Sequence, residues 1–209
     1  MLDEIKIAEL LNAKLCHDLA GPIGAINNGI EFLEEENADL LEKSKELLHI
    51  SAEQALIRLQ FYRKLYGYIS DGYGEFGSFC DLIERFMQQH NVTVSWDVNV
   101  SDIQNRLAKL ISNLIFVGYS FIIKEGNITV SIDRSEGNKF NIKIEVISNS
   151  LKISREYLHI LSGAPDVYDA NSKNVQVYYT LKLLSEIKGK LTYTEDNSGK
   201  FIFSLMISV

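Results

Sequence analysis

The feature that most constrains the fold is a helical repeat of apolar residues in the first third of the chain. Apolar side chains recur at helical spacing from about Leu2 to Glu36 and again from about Asp39 to Ile69, which predicts two long α-helices. The polar run from Glu34 to Asp39 marks a reversal between them. Two long helices with a short connection form an antiparallel hairpin. The first helix would be roughly 50 Å long, which is typical of a helical bundle.

Each helix of such a hairpin carries an apolar stripe that needs a partner. On the first helix the stripe consists of Leu11, Leu15, Leu19, Ile26, Ile30 and Leu33. One hairpin cannot bury both stripes by itself, whereas two copies can bury them at the centre of a four-helix bundle. We therefore predict a homodimer through a hairpin domain of residues 1–70. The alternative is a monomer whose second domain covers the stripe.

Three glycines between Ser70 and Gly77 mark the clearest boundary in the chain. We assign residues 71–77 to a linker and residues 78–209 to a second domain. Its sequence shows helical and strand periods in the order helix, strand, helix, two strands, helices and two strands. This order predicts a two-layer α/β sandwich, a mixed sheet with helices on one face. The whole chain is therefore predicted to be an α+β protein.

Local signals in the second domain predict several turns and helix ends. Hairpin turns are expected at Gly137-Asn138 and at Asn197–Gly199, where strand-like alternation is interrupted. Ser101 or Asp102 is expected to cap the second helix of this domain. Gly189 is expected to close its last helix.

Composition limits the partners that this chain can have. Its 209 residues carry a formal net charge of −7 without a block of basic residues, so nucleic acid is not an expected partner. No apolar run is long enough to span a bilayer, and the acidic N-terminus is unlike a secretory signal. We therefore expect a cytoplasmic protein without membrane contact. The two cysteines and four histidines are scattered and show no metal-ligand spacing.

A short motif in the first helix carries the chemistry. His17 is followed by Asp18 and, about one turn later, by Gly21, Pro22 and Gly24. A glycine inside a helix costs about 1 kcal/mol relative to alanine, and a proline costs more, so another requirement must favour these residues. On a helical wheel His17 lies opposite the apolar stripe and beside both glycines. The economical explanation is that a large partner approaches the imidazole closely.

The string His17-Asp18-Leu-x-x-Pro22 is close to the phosphoacceptor box of histidine kinases. With its extension through Gly24-Ala-Ile-Asn-Asn28-Gly, it resembles more narrowly the ChpT-type histidine phosphotransferases of alphaproteobacterial phosphorelays. The resemblance implies that His17 takes a phosphoryl group from a receiver-domain aspartate and passes it to a second receiver. The implied partners are the receiver domain of a hybrid histidine kinase and response regulators. The receiver would bring Mg²⁺ in its own acidic pocket, so we expect this chain to bind no metal or other cofactor.

We take His17 and Asp18 as the candidate catalytic residues. Asp18 could orient the imidazole or act as a base, and it could also be a solvated charge. Six further residues on the His17 side of the helix are expected to contact the partner. They are Leu10, Ala13, Gly21, Gly24, Asn28 and Glu31.

The second domain resembles the ATP-binding domain of histidine kinases but lacks its glycines. Asn113 stands near the asparagine that holds Mg²⁺ in kinases. Segments 149–154 and 171–177 stand where the two glycine-rich nucleotide loops should be, and neither contains a glycine, so their backbone cannot approach phosphates as closely. We therefore expect phosphotransfer without ATP binding. The alternatives are a histidine kinase with an atypical ATP site, a non-catalytic receiver-binding dimeric scaffold, and a phosphatase that acts on a receiver.

Overall fold

The computed structural model of this chain describes residues 2–33, 38–135, 139–163, 168–196 and 199–208. Two long helices, α1 (Glu4–Leu33) and α2 (Ala38–Tyr66), pack against each other over much of their length. Asp18, in the middle of α1, bonds to Arg58 in the second half of α2, whereas Gly29, near the end of α1, lies against Leu48 in the first half of α2. The helices therefore run in opposite directions, and the predicted helical hairpin is confirmed.

Gly29 allows the two helices of the hairpin to approach each other. A Cβ atom at this position would lie 2.8 Å from Cγ of Leu48, well below the roughly 3.5–4.0 Å at which carbon atoms pack. Gly29 is buried in α1. This glycine therefore serves internal packing, unlike the two glycines that follow His17.

The second half of the chain forms a two-layer sandwich. Its elements are α3 (Phe76–Gln88), β1 (Val92–Val98), α4 (Asn105–Tyr119), β2 (Gly126–Ser135), β3 (Lys139–Ile147), α5 (Arg155–Leu161), α6 (Val175–Ile187), β4 (Lys190–Asp196) and β5 (Lys200–Ser208). The five strands follow the order β1-β2-β3-β5-β4. Strands β1 and β2 are parallel, and the other neighbours are antiparallel. Buried and exposed residues alternate along β3 and β5, so one face of the sheet packs on the helices. The predicted α+β architecture is confirmed.

The core of the sandwich extends into the last turns of α2. Phe61 is 1% exposed and stacks on Phe86 of α3, with ring centroids 3.9 Å apart. The segment that we assign to a linker also bonds to the sandwich, because the carbonyl of Gly72 accepts a hydrogen bond from the amide of Asn105 at 2.8 Å. The C-terminal end of α2 is therefore anchored in the core of the second half of the chain.

The predicted cap of α4 is wrong. The helix begins at Asn105, and its N-cap is Gln104, which makes no side-chain capping bond. Asp102 instead bonds to Arg134 of β2 at 2.5 Å. Neither Ser101 nor Asp102 caps the helix because both lie too far before its first turn.

The end of α6 differs from the prediction in one detail. Gly189 helps to close the helix as expected, since its amide bonds to the carbonyl of Leu184 at 3.2 Å. The left-handed residue of this motif, however, is Lys188, with φ 55°. Gly189 is favoured for a different reason: a Cβ atom at this position would lie only 2.8 Å from Cδ1 of Leu184. The predicted turn at 137–138 and most of the turn at 197–199 lie outside the described residues.

Among the described residues, no helix is both long and apolar enough to cross a membrane.

Candidate functional site

His17 lies near the middle of α1 on its solvent-facing side. Its side chain is 88% exposed, whereas Leu11 on the apolar stripe is buried. The stripe becomes more exposed toward the end of the helix, where Ile30 is 51% exposed. The imidazole is therefore open to a macromolecular partner.

Asp18 contacts His17 and fixes its hydrogen bonding. Nδ1 of His17 lies 3.1 Å from Oδ1 of Asp18. Burial by itself raises the pKa of Asp18, but hydrogen bonds from Tyr62 and His17 and the charge of Lys14 outweigh it, and the pKa lies below its ordinary value. Because an ionised carboxylate only accepts hydrogen bonds, Nδ1 of His17 is the donor of this bond, and in the neutral imidazole the lone pair then lies on Nε2. The structure thus brings the two candidate catalytic residues together.

A proline next to the site leaves one main-chain carbonyl without its helical donor. Pro22 has no N–H, so the carbonyl of Asp18, four residues earlier, loses the hydrogen bond of the helix ladder. Nη1 of Arg58 on α2 donates to this carbonyl at 2.8 Å. The helix continues through Pro22. Sequence reasoning could have deduced the unpaired carbonyl from Pro22, but not the arginine that satisfies it.

Tyr62 of α2 contacts the carboxylate of Asp18 directly. Its hydroxyl donates to Oδ2 at 2.5 Å, across 44 residues of sequence. Lys14 lies one turn earlier on α1, with Nζ 3.1 Å from the same oxygen. The sequence pattern indicates only that Tyr62 belongs to the apolar side of α2, so this contact was missed.

Gly21 and Gly24 lie on open surface beside His17. A Cβ atom added at either residue would meet nothing within 4 Å. Neither glycine is therefore required for packing within this chain. This geometry agrees with the hypothesis that the two glycines leave room for a partner to approach the imidazole.

The other expected partner contacts lie along the same helix. Ala13, Asn28 and Glu31 are exposed, and Glu31 accepts a hydrogen bond from Asn27 at 2.7 Å. Leu10 is half-buried, because part of its side chain packs where α1 meets α6. Their role in partner binding stays a prediction.

The position that would hold Mg²⁺ in a kinase is closed by a buried polar network. Asn113 is 0% exposed, and its Oδ1 accepts a hydrogen bond from Nε2 of Gln176 at 2.7 Å. Gln176 in turn accepts from the hydroxyl of Tyr66 at 2.5 Å. Nδ2 of Asn113 donates to the carbonyl of Lys109 at 2.7 Å. The side chain is therefore fully engaged by α2, α4 and α6 and faces no ligand space.

In the segment before α6, several backbone amides donate hydrogen bonds to asparagine side chains of the same segment. Oδ1 of Asn171 accepts from the amides of Lys173 and Asn174 at 2.9 and 3.3 Å. Oδ1 of Asn174 accepts from the amide of Asn171 at 2.8 Å. A phosphate loop needs such amides free to face the ligand. This segment therefore lacks the glycines of a nucleotide site, and three of its backbone amides are already bonded to its own asparagine side chains.

Helix α1 covers the start of α6. Ile7 and Leu11 form a buried cluster with Val175, the first residue of α6. Glu4 pairs with Lys182 of α6 at 2.7 Å. The N-terminus of a helix is a favourable place for phosphate, but here apolar side chains from the hairpin occupy the space against it.

Comparisons with known proteins agree with this geometry. Residues 78–199 match the family model of the histidine phosphotransferase C-terminal domain. The chain is 29% identical over 193 residues to protein phosphotransferase ChpT of Brucella abortus (strain 2308), and the match covers 91% of each chain. A solved structure of a bacterial phosphotransferase is similar over 98% of both chains, with a TM-score of 0.83 and 28% identity.

The kinase-like fold is seen in a more distant structure. The catalytic domain of histidine kinase ThkA matches with a TM-score of 0.50 at 13% identity, over 67% of this chain and 96% of that one. This likeness concerns the fold alone. The family model, in contrast, covers more than half of the 209 residues. The chain therefore belongs to the ChpT-type family of histidine phosphotransferases.

Proposed function

We propose that this chain relays a phosphoryl group between receiver-domain aspartates through a phosphohistidine at His17, without binding ATP. Membership of the family supports phosphotransfer in a phosphorelay. The observation that carries the finer proposal is an exposed imidazole on an open helix face, with its Nδ1 held by Asp18 at 3.1 Å.

The hydrogen bonding of His17 suits attack on an aspartyl phosphate. The lone pair of Nε2 forms a bond to phosphorus as the phosphorus–oxygen bond to the receiver carboxylate breaks, and that carboxylate leaves with the electron pair. The imidazole becomes cationic, and its Nδ1 proton remains hydrogen-bonded to the Asp18 carboxylate. A charge-assisted bond of this kind stabilises the charge that develops. Transfer to a second receiver reverses these steps and restores the neutral imidazole.

We propose that Mg²⁺ enters with the receiver domain, in the acidic pocket of that partner. The carboxylate nearest to His17 belongs to Asp18, and its oxygens already face His17, Tyr62 and Lys14. The residues of this chain therefore supply the nucleophile and its orientation. Neutralising the charge of the phosphoryl group would be the task of the partner.

Incubation with a phosphorylated receiver domain and Mg²⁺ tests the proposal. Label should appear on this chain as a phosphoramidate. A non-catalytic scaffold would bind the receiver and gain no label. A phosphatase would release inorganic phosphate and would not need His17.

We expect no measurable binding of Mg-ATP and no autophosphorylation. The side chain of Asn113 is engaged, three amides of the segment before α6 are bonded to its own asparagine side chains, and α1 covers the start of α6. Calorimetry with Mg-ATP and incubation with labelled ATP check this expectation. A dissociation constant in the micromolar range, or label on His17 from ATP alone, would favour a histidine kinase with an atypical site.

We also propose that the chain forms a homodimer through its hairpin. Leu56 and Leu59 are each 50% exposed and, together with Leu15, line a groove of about 520 Å³ between α1 and α2. More apolar side chains are exposed along the hairpin, namely Ile23, Ile30, Phe32, Leu33, Leu41 and Ile50. Apolar side chains that are exposed together, as in this groove, often mark a protein–protein contact surface. A second hairpin would cover it in a four-helix bundle.

Replacing Leu59 with glutamate should convert the dimer into a monomer, because it buries a charge without a partner at the centre of the bundle. Sedimentation at micromolar concentration measures the outcome. Ile123→Glu is the matched control, since Ile123 is 60% exposed on the sandwich and should leave the dimer intact. A wild-type protein that is monomeric, folded and able to accept phosphate would contradict the dimer.

A further inference from the structure

Asp18 is held by contacts that leave one oxygen for His17. Oδ1 faces Nδ1 of His17 at 3.1 Å. Oδ2 accepts the hydroxyl of Tyr62 at 2.5 Å and lies 3.1 Å from Nζ of Lys14. The main-chain carbonyl of the same residue accepts from Arg58 at 2.8 Å. Both the side chain and the backbone of Asp18 are thus fixed from α2.

Tyr62 is itself immobilised in the core. It is 3% exposed and stacks on Tyr66, with ring centroids 5.6 Å apart. Its ring also meets Phe86 of α3 and Phe116 of α4 edge-on. Burial and the neighbouring Asp18 carboxylate raise the pKa of Tyr62 above its ordinary value, so its hydroxyl remains a donor. A rigid donor of this kind sets the rotation of the carboxylate that it binds.

We propose that Tyr62 is a positioning residue for phosphotransfer: by holding Asp18, it keeps the proton of His17 on Nδ1 and presents Nε2 to the receiver. This inference rests on the proposed role of His17 and adds the residue that sets its protonation. Tyr62 also belongs to the aromatic core that α2 shares with the sandwich. The sandwich would therefore contribute to the chemistry of the site although its nucleotide loops have lost their glycines.

The tautomer matters because only one form is a nucleophile at the exposed nitrogen. With the proton on Nε2, the lone pair lies on Nδ1, beside Asp18. Without the Tyr62 hydroxyl, Oδ2 keeps only the Lys14 ammonium, and the carboxylate can rotate away from Nδ1. The reactive tautomer of His17 would then be less populated.

Tyr62→Phe tests the inference because it removes one hydroxyl and keeps the ring. Tyr66→Phe is the matched control: Tyr66 lies one turn further along α2, and its hydroxyl bonds to Gln176 instead of Asp18. Nitrogen-15 NMR of the imidazole, assigned with His17→Ala, reports the tautomer without any transfer assay. We expect the Nδ1–H form in the wild type and in Tyr66→Phe, and a shift toward the Nε2–H form in Tyr62→Phe.

The initial rate of labelling by a phosphorylated receiver gives the second readout. Tyr62→Phe should lower it about tenfold, the lower end of the loss that follows removal of a hydrogen-bond partner orienting a metal-ligating histidine. Affinity for the receiver should not change, and Tyr66→Phe should keep the wild-type rate. In an Asp18→Asn background, Tyr62→Phe should cause no further loss, because it acts through that carboxylate.

Four results would overturn the inference: an unchanged tautomer in Tyr62→Phe, an unchanged rate, equal losses in both tyrosine variants, or additive losses with Asp18→Asn. A wild-type protein that takes up no label would instead refute the proposed function. In that case the tautomer measurement still decides whether Tyr62 positions His17.

Discussion

Replacing His17 with alanine is expected to abolish phosphate uptake from a phosphorylated receiver. His17 combines an exposed ring, a bound carboxylate and open glycine surface. The other three histidines all lie within the described part of the chain and do not share this combination. His90 lies against the rings of Phe86 and Tyr119, and His159 lies against Tyr168. Among the described histidines, His17 therefore offers a receiver domain a nucleophile that is both exposed and oriented.

His49→Ala is the control for this experiment, because His49 is also an exposed histidine on the hairpin but has no phosphoacceptor motif around it. It should leave labelling largely intact. The label itself should be lost in mild acid and be comparatively stable in base, as expected of a phosphoramidate. Undiminished labelling of the His17→Ala protein would refute the site.

Gly24→Leu is expected to reduce transfer at least about a hundredfold, since a displacement of about 1 Å at the reacting centre has an effect of that size. Gly24 lies two turns from His17, about 10 Å along the helix axis. A leucine there would hold the receiver away from the imidazole. The fold should be unaffected, because a Cβ at Gly24 meets nothing within 4 Å. Labelling kinetics and thermal melting measure the two effects separately.

Gly24→Ala is the matched control for size, and it should transfer phosphate and be more stable by about 0.5–1 kcal/mol. Gly29→Ala should behave in the opposite way and destabilise the hairpin, because its Cβ would collide with Leu48. Unfolding of Gly24→Leu would show that Gly24 serves packing. A folded Gly24→Leu protein with the wild-type rate would show that access to His17 does not depend on this glycine.

The fold could be predicted where a periodic pattern of apolar residues extends over a continuous stretch of sequence. The helical period extends over 30 residues in α1 and 29 in α2, so a few misleading residues do not alter it. The alternation of β3 and β5 was equally regular. The cap of α4 was predicted wrongly because the helix begins only at Asn105, three residues after Asp102, and no local pattern in the sequence reveals this later start.

In the candidate site too, contacts between sequence neighbours could be predicted, whereas contacts between distant residues could not. His17 and Asp18 are adjacent, so the motif placed them together. Arg58 and Tyr62 lie on α2, 40 and 44 residues after Asp18 in the sequence. They contact Asp18 because of the way in which α1 and α2 are aligned in the hairpin. The sequence therefore predicts the nucleophile and the adjacent carboxylate, but not the two residues that hold this carboxylate in place.

The most direct test of the proposed relay is a chase from this chain to a second receiver. Purified protein labelled on His17 is mixed with an unphosphorylated receiver domain and Mg²⁺ in the absence of nucleotide. Label should leave this chain and appear on the receiver as a base-labile acyl phosphate. Label that is released only as inorganic phosphate, or that moves only after ATP is added, would contradict the proposed relay.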